Sequence, residues 1–362
     1  MKEPVTVRHI ADRAGVSTAT VSRALRNDPR ISAETRVAVH RAAEAMNYRR
    51  LRAPSLGSES RAVLEGKRVS ILLLGLDKSL EALPSVAMAL QGLTESLSLA
   101  GATTLLHDIS DPGKVPPSLR DEPADGLIIR ASSQGDILSA LPAHALSALR
   151  RLPTVWLLGR PMGATWGDGV LTNNWALGEI AAQYLAQCGH RNVASLLAKP
   201  QHYHINQLNL AFATVATRLG VHATIIEGRE QPPYPQRPVE DIGAVADLVD
   251  RALSASPRPT ALFCPPDSLA RLVYRVLAER GLRIPEDISV ISTNNEAAAN
   301  ALLTPPMTTV DLMLGLAGKK AVAQLAWRLE HRNEPPVDVS LLPRLVEGLS
   351  VKDVNAGNSN RR

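Results

Sequence analysis

The sequence predicts an all-α head of three short helices joined to a larger α/β body of two doubly wound parallel sheets. Three observations predict it. Residues 6–46 place apolar side chains at helical spacing between capping residues and breakers. From Val69 onward, short apolar runs alternate with helical stretches. The charge divides at the same place: residues 1–68 hold 14 Lys and Arg against 7 Asp and Glu, a net +7, and the remainder holds 26 against 28, a net −2.

In the head, Val7, Ile10, Ala11 and Ala14 form one apolar stripe, with Thr6 as its N-cap and Gly15 as its stop. Val16 turns inward, and Ser17 caps a second helix whose Val21 and Leu25 face the first. Asn27-Asp28-Pro29 breaks the chain, and Ser32 caps a third helix with Val39, Ala42, Ala43 and Met46 inward. A helix, a short turn and a second helix, braced by a third, is the geometry that carries a helix into the major groove. The second helix then presents Thr18, Ala19, Ser22 and Arg23 outward at its N-terminal end. Arg23 is suited to bidentate pairing with guanine O6/N7, and Ala19 to a thymine methyl. Thr6, Ser17, Thr20 and Thr35 are placed for phosphate contacts through hydroxyls or helix N-terminal amides. A basic head on a near-neutral body points to a phosphate-backbone partner.

The run TVRHIADRAGVSTATVSRALRNDPRISAETRVAVHRAAEAMNY resembles, without a gap from Thr6 to Tyr48, the DNA-binding head of the lactose-repressor/galactose-repressor (LacI/GalR) family. The resemblance puts Thr18, Ala19 and Arg23 at base-reading positions. It puts Ser17, Thr20, Ser22 and Tyr48 at backbone-contacting or hinge-supporting ones. It also implies a hinge helix that inserts a Leu into the minor groove. Here that segment is longer than usual and broken by Pro54 and Gly57. The best remaining helix is 58–65, with Ser58 as cap and Leu64 as the wedge; Leu56 is the alternative wedge, and a basic tether the alternative structure.

In the body, VSILLLGL, ATTLLHDI, DGLIIRAS and PTVWLLGR read as strands of a first sheet, with a helix ending at Gly101 between the first two. VASLLA, HATIIEG, TALFCPP and DISVIST read as strands of a second, separated by helices over 205–219, 240–254 and 268–280; a helix over 176–187 precedes them. The resemblance implies a type I periplasmic-binding-protein-like body with three crossovers, supported by Asp125-Gly126-Leu127-Ile128, Gly189-His190-Arg191, the run 284–290 and the run 305–310. The expected division is a head over 1–48, a linker over 49–67 and a body over 68–350. Within the body, one subdomain takes 68–168 and 311–334, the other 169–310 and 335–350, and a disordered tail follows over 351–362.

Ligands of such sheets sit at the carboxyl ends of the strands, between subdomains. Asp77, Lys78, Trp156, Asn173, Trp175, Tyr203, Leu208, Asp267 and Asn294 are the cleft candidates. Most of the charged positions the family uses are altered. Asn173 stands for its crossover Asp, Leu208 for its Arg, Pro266 for the Asn before Asp267, Asn294-Asn295 for a late Asp pair, and Gly348 for a closing Arg. Losing those charged clamps predicts either a less polar effector or no small-molecule response.

Other chemistry finds little footing. His202 and His204 sit two apart with no nearby Cys or carboxylate, so a cleft-lining loop is preferred to a metal site. No phosphate-cradling, nucleophile-elbow or zinc-protease string occurs, and no enzyme activity, metal or cofactor is expected. Cys188 and Cys264 are far apart, no apolar run approaches the ~20 residues of a membrane span, and the N-terminus lacks a signal-like apolar stretch. The expected place is the cytoplasm. The expected function is a homodimeric repressor on a palindromic operator, modulated by a small molecule. The alternatives are an effector-independent DNA binder whose body only dimerises and, from another class, a solute-binding protein. The stretch after Leu349 has no heptads, which argues for a dimer without a tetramerising helix.

Overall fold

The structure is a computed structural model and describes residues 6–25, 28, 30–46, 57–77, 84–115, 124–230 and 232–355. Asn27, Pro29, Tyr48, Pro54, Leu56, Lys78 and residues 356–362, for which the sequence raised expectations, lie outside the described residues.

The head forms as its periodicity dictates: α1 (Val7–Ala14), α2 (Thr18–Ala24) and α3 (Ala33–Ala45). Ile10, Val21, Ala24, Val39, Ala42 and Ala43 close a small core in which Val7, Val16 and Leu25 are partly buried. Gly15 ends α1 at φ 65°, in the left-handed region, where a side chain would be strained. Of the three caps expected in the head, two are made by the side chain: the Ser17 Oγ accepts from the Thr20 amide at 3.0 Å, and the Ser32 Oγ from the Thr35 amide at 3.2 Å.

The linker helix α4 spans Ser58–Leu64, close to expectation, but the residue at its cap position is Gly57 rather than Ser58. Its use is also corrected. Leu64 is fully buried in the core of the first body sheet, beside α5 (Pro84–Leu99) and the long helix at Leu314–Glu330. A side chain held there cannot wedge a minor groove without vacating that core. Leu64 is therefore an anchor that ties α4 to the body.

The first sheet contains β1 (Arg68–Leu74), β2 (Thr103–Ile109), β3 (Gly126–Ala131), β4 (Thr154–Leu157), β5 (Asp168–Thr172) and, late in the chain, β11 (Asp338–Leu341). Its order is β11-β5-β4-β3-β1-β2, all parallel. The α6 helix (Ala143–Arg150) joins β3 to β4. The second sheet contains β6 (Asn192–Leu197), β7 (His222–Glu227), β8 (Ala261–Phe263), β9 (Ser289–Thr293), β10 (Thr308–Asp311) and β12 (Arg344–Val346). Its order is β12-β10-β9-β8-β6-β7, parallel except for the β12 edge. Helices α7 (Asn174–Gln187), α8 (Tyr203–Arg218), α9 (Ile242–Leu253), α10 (Asp267–Glu279), α11 (Ala297–Asn300) and α12 (Leu314–Glu330) complete the connections. Buried parallel strands with crossover helices are what continuous apolar runs demand.

Two expected boundaries move. Strands β5 and β11 belong to the first sheet, so the chain crosses after Thr172 and after Leu341 rather than near 168 and 334. The cause is Asp168, fully buried and held by Arg328 of α12, which donates from Nε at 3.0 Å and from Nη2 at 2.5 Å. Gln324 Nε2 and the Val337 amide donate to the same carboxylate at 2.7 and 3.0 Å. That cluster ties β5 and the approach to β11 to one helix. The expected disordered tail is corrected as well for residues 351–355. Val351 packs on the second subdomain's core, the Val354 amide donates to Cys188 O at 2.8 Å, and Asn355 Nδ2 donates to Gln187 O at 2.8 Å.

Candidate DNA-reading helix and effector cleft

The α2 helix stands clear of its bundle. Thr18, Ala19 and Arg23 are exposed, Ser22 and Thr20 half-buried, and Ser17 exposed at the cap. Inward-facing Val21 and Ala24 fix the rotation that turns Arg23 away from the core. The hydroxyls chosen for phosphate contact already have local partners. Ser17 Oγ and Thr20 Oγ1 are 2.8 Å apart, and Ser32 Oγ donates to Thr35 Oγ1 at 2.9 Å; at Thr6 it is the backbone amide that is engaged, donating to His9 Nδ1 at 3.2 Å. Such pairs hold the helix starts rigid, and a hydroxyl keeps a further acceptor or donor for a phosphate. On its other side the head touches the body. Arg36 of α3 donates to the carbonyls of Asp28 and Ile31 and pairs with Glu347, which follows β12.

Between the two sheets lies an open cleft whose empty space, mouth included, is about 940 Å³. That is room for a metabolite-sized molecule. It opens at the carboxyl ends of β3, β6 and β9, as a doubly wound body requires. Of the expected cleft residues, Leu208 and Asn294 line it. Asn294 does so from a strained backbone at φ 109°, with Nδ2 donating to Glu296 Oε1 at 3.0 Å.

The others are elsewhere. Asn173 is the N-cap of α7, its Oδ1 accepting from the Ala176 amide at 2.9 Å, and its neighbour Asn174 faces the cleft instead. Trp175 and Tyr203 are largely exposed and lie outside the lining. Trp156 is core, its Nε1 donating to Trp166 O at 2.8 Å. Asp77 pairs with Arg237 at 3.3 Å near the mouth. Gly348 has no room for the Arg that the resemblance expects, since a Cβ there would lie 2.3 Å from Pro306 O.

Asp267 is buried beneath the cleft floor as an organiser. It accepts from the Glu296 amide at 2.8 Å, Asn300 Nδ2 at 2.7 Å and Thr309 Oγ1 at 2.8 Å. Burial raises its carboxyl to about 6 despite those donors, with the nearby Glu296 charge adding to the rise. A carboxyl that holds its proton more tightly when folded stabilises the chain fully below its unfolded value near 3.8. That contribution is lost as pH rises through about 6. Asp267→Asn removes this dependence. Urea unfolding should show the variant losing more stability relative to wild type at pH 4 than at pH 7, by about 2–3 kcal/mol. A difference independent of pH would contradict the assignment.

The sequence reading missed the cleft's cations. Arg130, near the end of β3, and Lys199, just past β6, are both buried and both line the cleft. Burial lowers Arg130 to about 10 and Lys199 to about 8, the latter partly offset by Glu240. The Lys199 ammonium donates to Arg237 O, and Arg130 donates to Ala131 O. His202 and His204 line the same wall. His202 Nδ1 caps α8 by accepting from the Ile205 amide at 3.2 Å, and His204 Nδ1 lies 2.9 Å from Asn174 Nδ2. Burial, followed by neighbouring cationic groups including Arg130, keeps both rings neutral at physiological pH, His204 near 4. A readable signal existed: in LIIRA and SLLAK a cation closes an apolar run, where a doubly wound sheet places its ligand contacts.

The chain is similar to several known proteins. The profile described as "Bacterial regulatory proteins, lacI family" matches residues 6–50, and that described as "Periplasmic binding protein-like domain" matches residues 182–351. The HTH-type transcriptional repressor PurR of Erwinia tasmaniensis is 28% identical over 356 residues, covering 96% of this chain and 97% of its own. That of Pectobacterium carotovorum is 27% identical over 355 residues, with the same shares. Among solved structures, the regulator CelR in its cellobiose complex superposes with a TM-score of 0.64 at 23% identity, covering 96% of this chain and 99% of its own. The lac repressor dimer bound to operator gives 0.62 at 20%, covering 97% and 100%. A regulator of Enterococcus faecalis V583 with bound ribose gives 0.63 at 21%, covering 79% and 99%. Among the described residues, no helix is long and apolar enough to cross a membrane.

Proposed function

We propose that the chain is a transcriptional regulator of the LacI/GalR family, a cytoplasmic, dimeric repressor that reads a palindromic operator through α2 and responds to a small molecule in its cleft. The observation that carries this reading is the Ser17-capped helix itself. It exposes Thr18, Ala19 and Arg23 on one face and buries Val21 and Ala24 on the other. One such head touches too few base pairs for useful specificity, so two heads on a body dimer are required. The sign of regulation follows the relatives named as repressors. The cleft's role follows the regulators described with cellobiose or ribose. Ligand and DNA then act against one another through a single coupling free energy, with closure of the cleft altering the placement of the heads.

The test is selection from random duplexes with the full chain, followed by fluorescence anisotropy at moderate salt. A two-fold symmetric site should emerge and bind at least ~1,000-fold tighter than random DNA. Enrichment of no sequence would overturn the regulator reading.

A further inference from the structure

Arg130 and Lys199 come from different subdomains and meet in one cleft, about 7% and 5% exposed. Neither forms an ion pair with a carboxylate among the described residues, and the Arg130 Nε has no hydrogen-bond partner. Among the described residues, the one carboxylate lining the cleft is already engaged: Glu296 takes Arg271 Nη1 at 2.8 Å and Asn294 Nδ2 at 3.0 Å. His202 is close enough to both cations to feel their charge and stays neutral, and its Nε2 lies 3.4 Å from Gln236 Nε2. Two cations withdrawn from water, with only Glu240 partly offsetting the charge of Lys199, are costly, and an anion placed between them lowers that cost. Apolar side chains share the wall, with Leu177, Leu208, Leu312 and Leu314 lining the same space beside polar Asn174, Gln236 and Asn294.

We propose that the effector is a small organic anion, whose carboxylate or phosphate sits between Arg130 and Lys199 and whose apolar body packs against Leu177, Leu208 and Leu314. The inference rests on reading the cleft as the regulatory site, and it sets aside the expectation of a weakly polar effector. The charged grip that the resemblance places at 173, 208 and 348 is not lost but moved. It now closes the ends of β3 and β6, so that binding bridges the two subdomains.

The test uses the full chain and four probes at millimolar concentration: hexanoate, hexyl phosphate, inorganic phosphate and hexan-1-ol. Thermal unfolding should shift upward with hexanoate or hexyl phosphate, following the logarithm of ligand concentration, and not with hexan-1-ol. Which of the two anions binds tighter distinguishes a carboxylate from a phosphate effector, and a shift by inorganic phosphate alone assigns the phosphate group. Arg130→Met and Lys199→Met should each weaken the better probe at least about tenfold. Their unliganded melting confirms that they fold, and if Arg130→Met does not, Lys199→Met carries the comparison. Equal stabilisation by the alcohol, no response to any anion, or unchanged affinity in the folded variants would overturn the proposal. Operator anisotropy separates the two readings. An anion that binds without changing DNA affinity would sustain the site and sink the regulatory coupling. Release of DNA by cellobiose or ribose, with no anion bound, would do the reverse.

Discussion

Arg23→Ala should weaken operator binding by roughly 30-fold to 10⁴-fold while leaving binding to random DNA within a few-fold. The asymmetry follows from the base-reading role proposed for the guanidinium. A bidentate pair to guanine discriminates by ~1–3 kcal/mol, and a symmetric operator loses that contact twice. Random DNA loses only a single positive charge per head. Arg23 is exposed on α2, with Val21 and Ala24 holding the helix from behind, so the substitution should leave the fold intact. Anisotropy titrations against the selected operator and a scrambled duplex, at two salt concentrations, measure both losses. Parallel losses on the two duplexes would show that Arg23 touches phosphate instead of a base edge.

The largest effect on stability is expected at Arg328. Arg328→Ala strips the fully buried Asp168 of its charged partner, leaving only Gln324 and the Val337 amide as donors. A buried carboxylate so exposed to the apolar interior costs about 3–5 kcal/mol. The melting point should fall by roughly 6–15 °C. Arg328 also donates to the carbonyls of His331, Glu334 and Pro335, so the approach to β11 should loosen, with faster amide exchange there. Adding Asp168→Asn to an Arg328→Met background removes the orphaned charge and should recover part of the loss. A loss below about 1 kcal/mol would mean that water reaches Asp168 and the cluster is not dry.

Much of the molecule was legible because its signals are local. The caps at Ser17 and Ser32, the Gly15 stop and the inward stripe of Ile10, Val21 and Val39 each act within a turn or two of helix, and the structure forms them as read. Strands VSILLLGL and DGLIIRAS were equally plain, since a strand buried on both faces is apolar along its length. Short strands defeated the same logic. β5 reads as GDGVLTN and β11 as VDVSLL, with too few apolar residues to announce a partner. Resemblance by position misled where a neighbour had taken over: Asn174 faces the cleft while Asn173 caps a helix.

The sequence by itself determined the three-helix head, the face of α2 that is exposed, the alternation of strand and helix, and the concentration of positive charge before Val69. These depend on period, caps and charge, which are properties of consecutive residues. Tertiary structure decided the rest: that Leu64 is an anchor in the body's core, that Asp168 and Arg328 draw β5 and β11 into the first sheet, and that Arg130 and Lys199, both buried, line one cleft. The physical reason is desolvation. Whether a leucine is a wedge or an anchor, or a cation a surface charge or a ligand grip, depends on what distant segments remove from water, and no run of neighbouring residues records that.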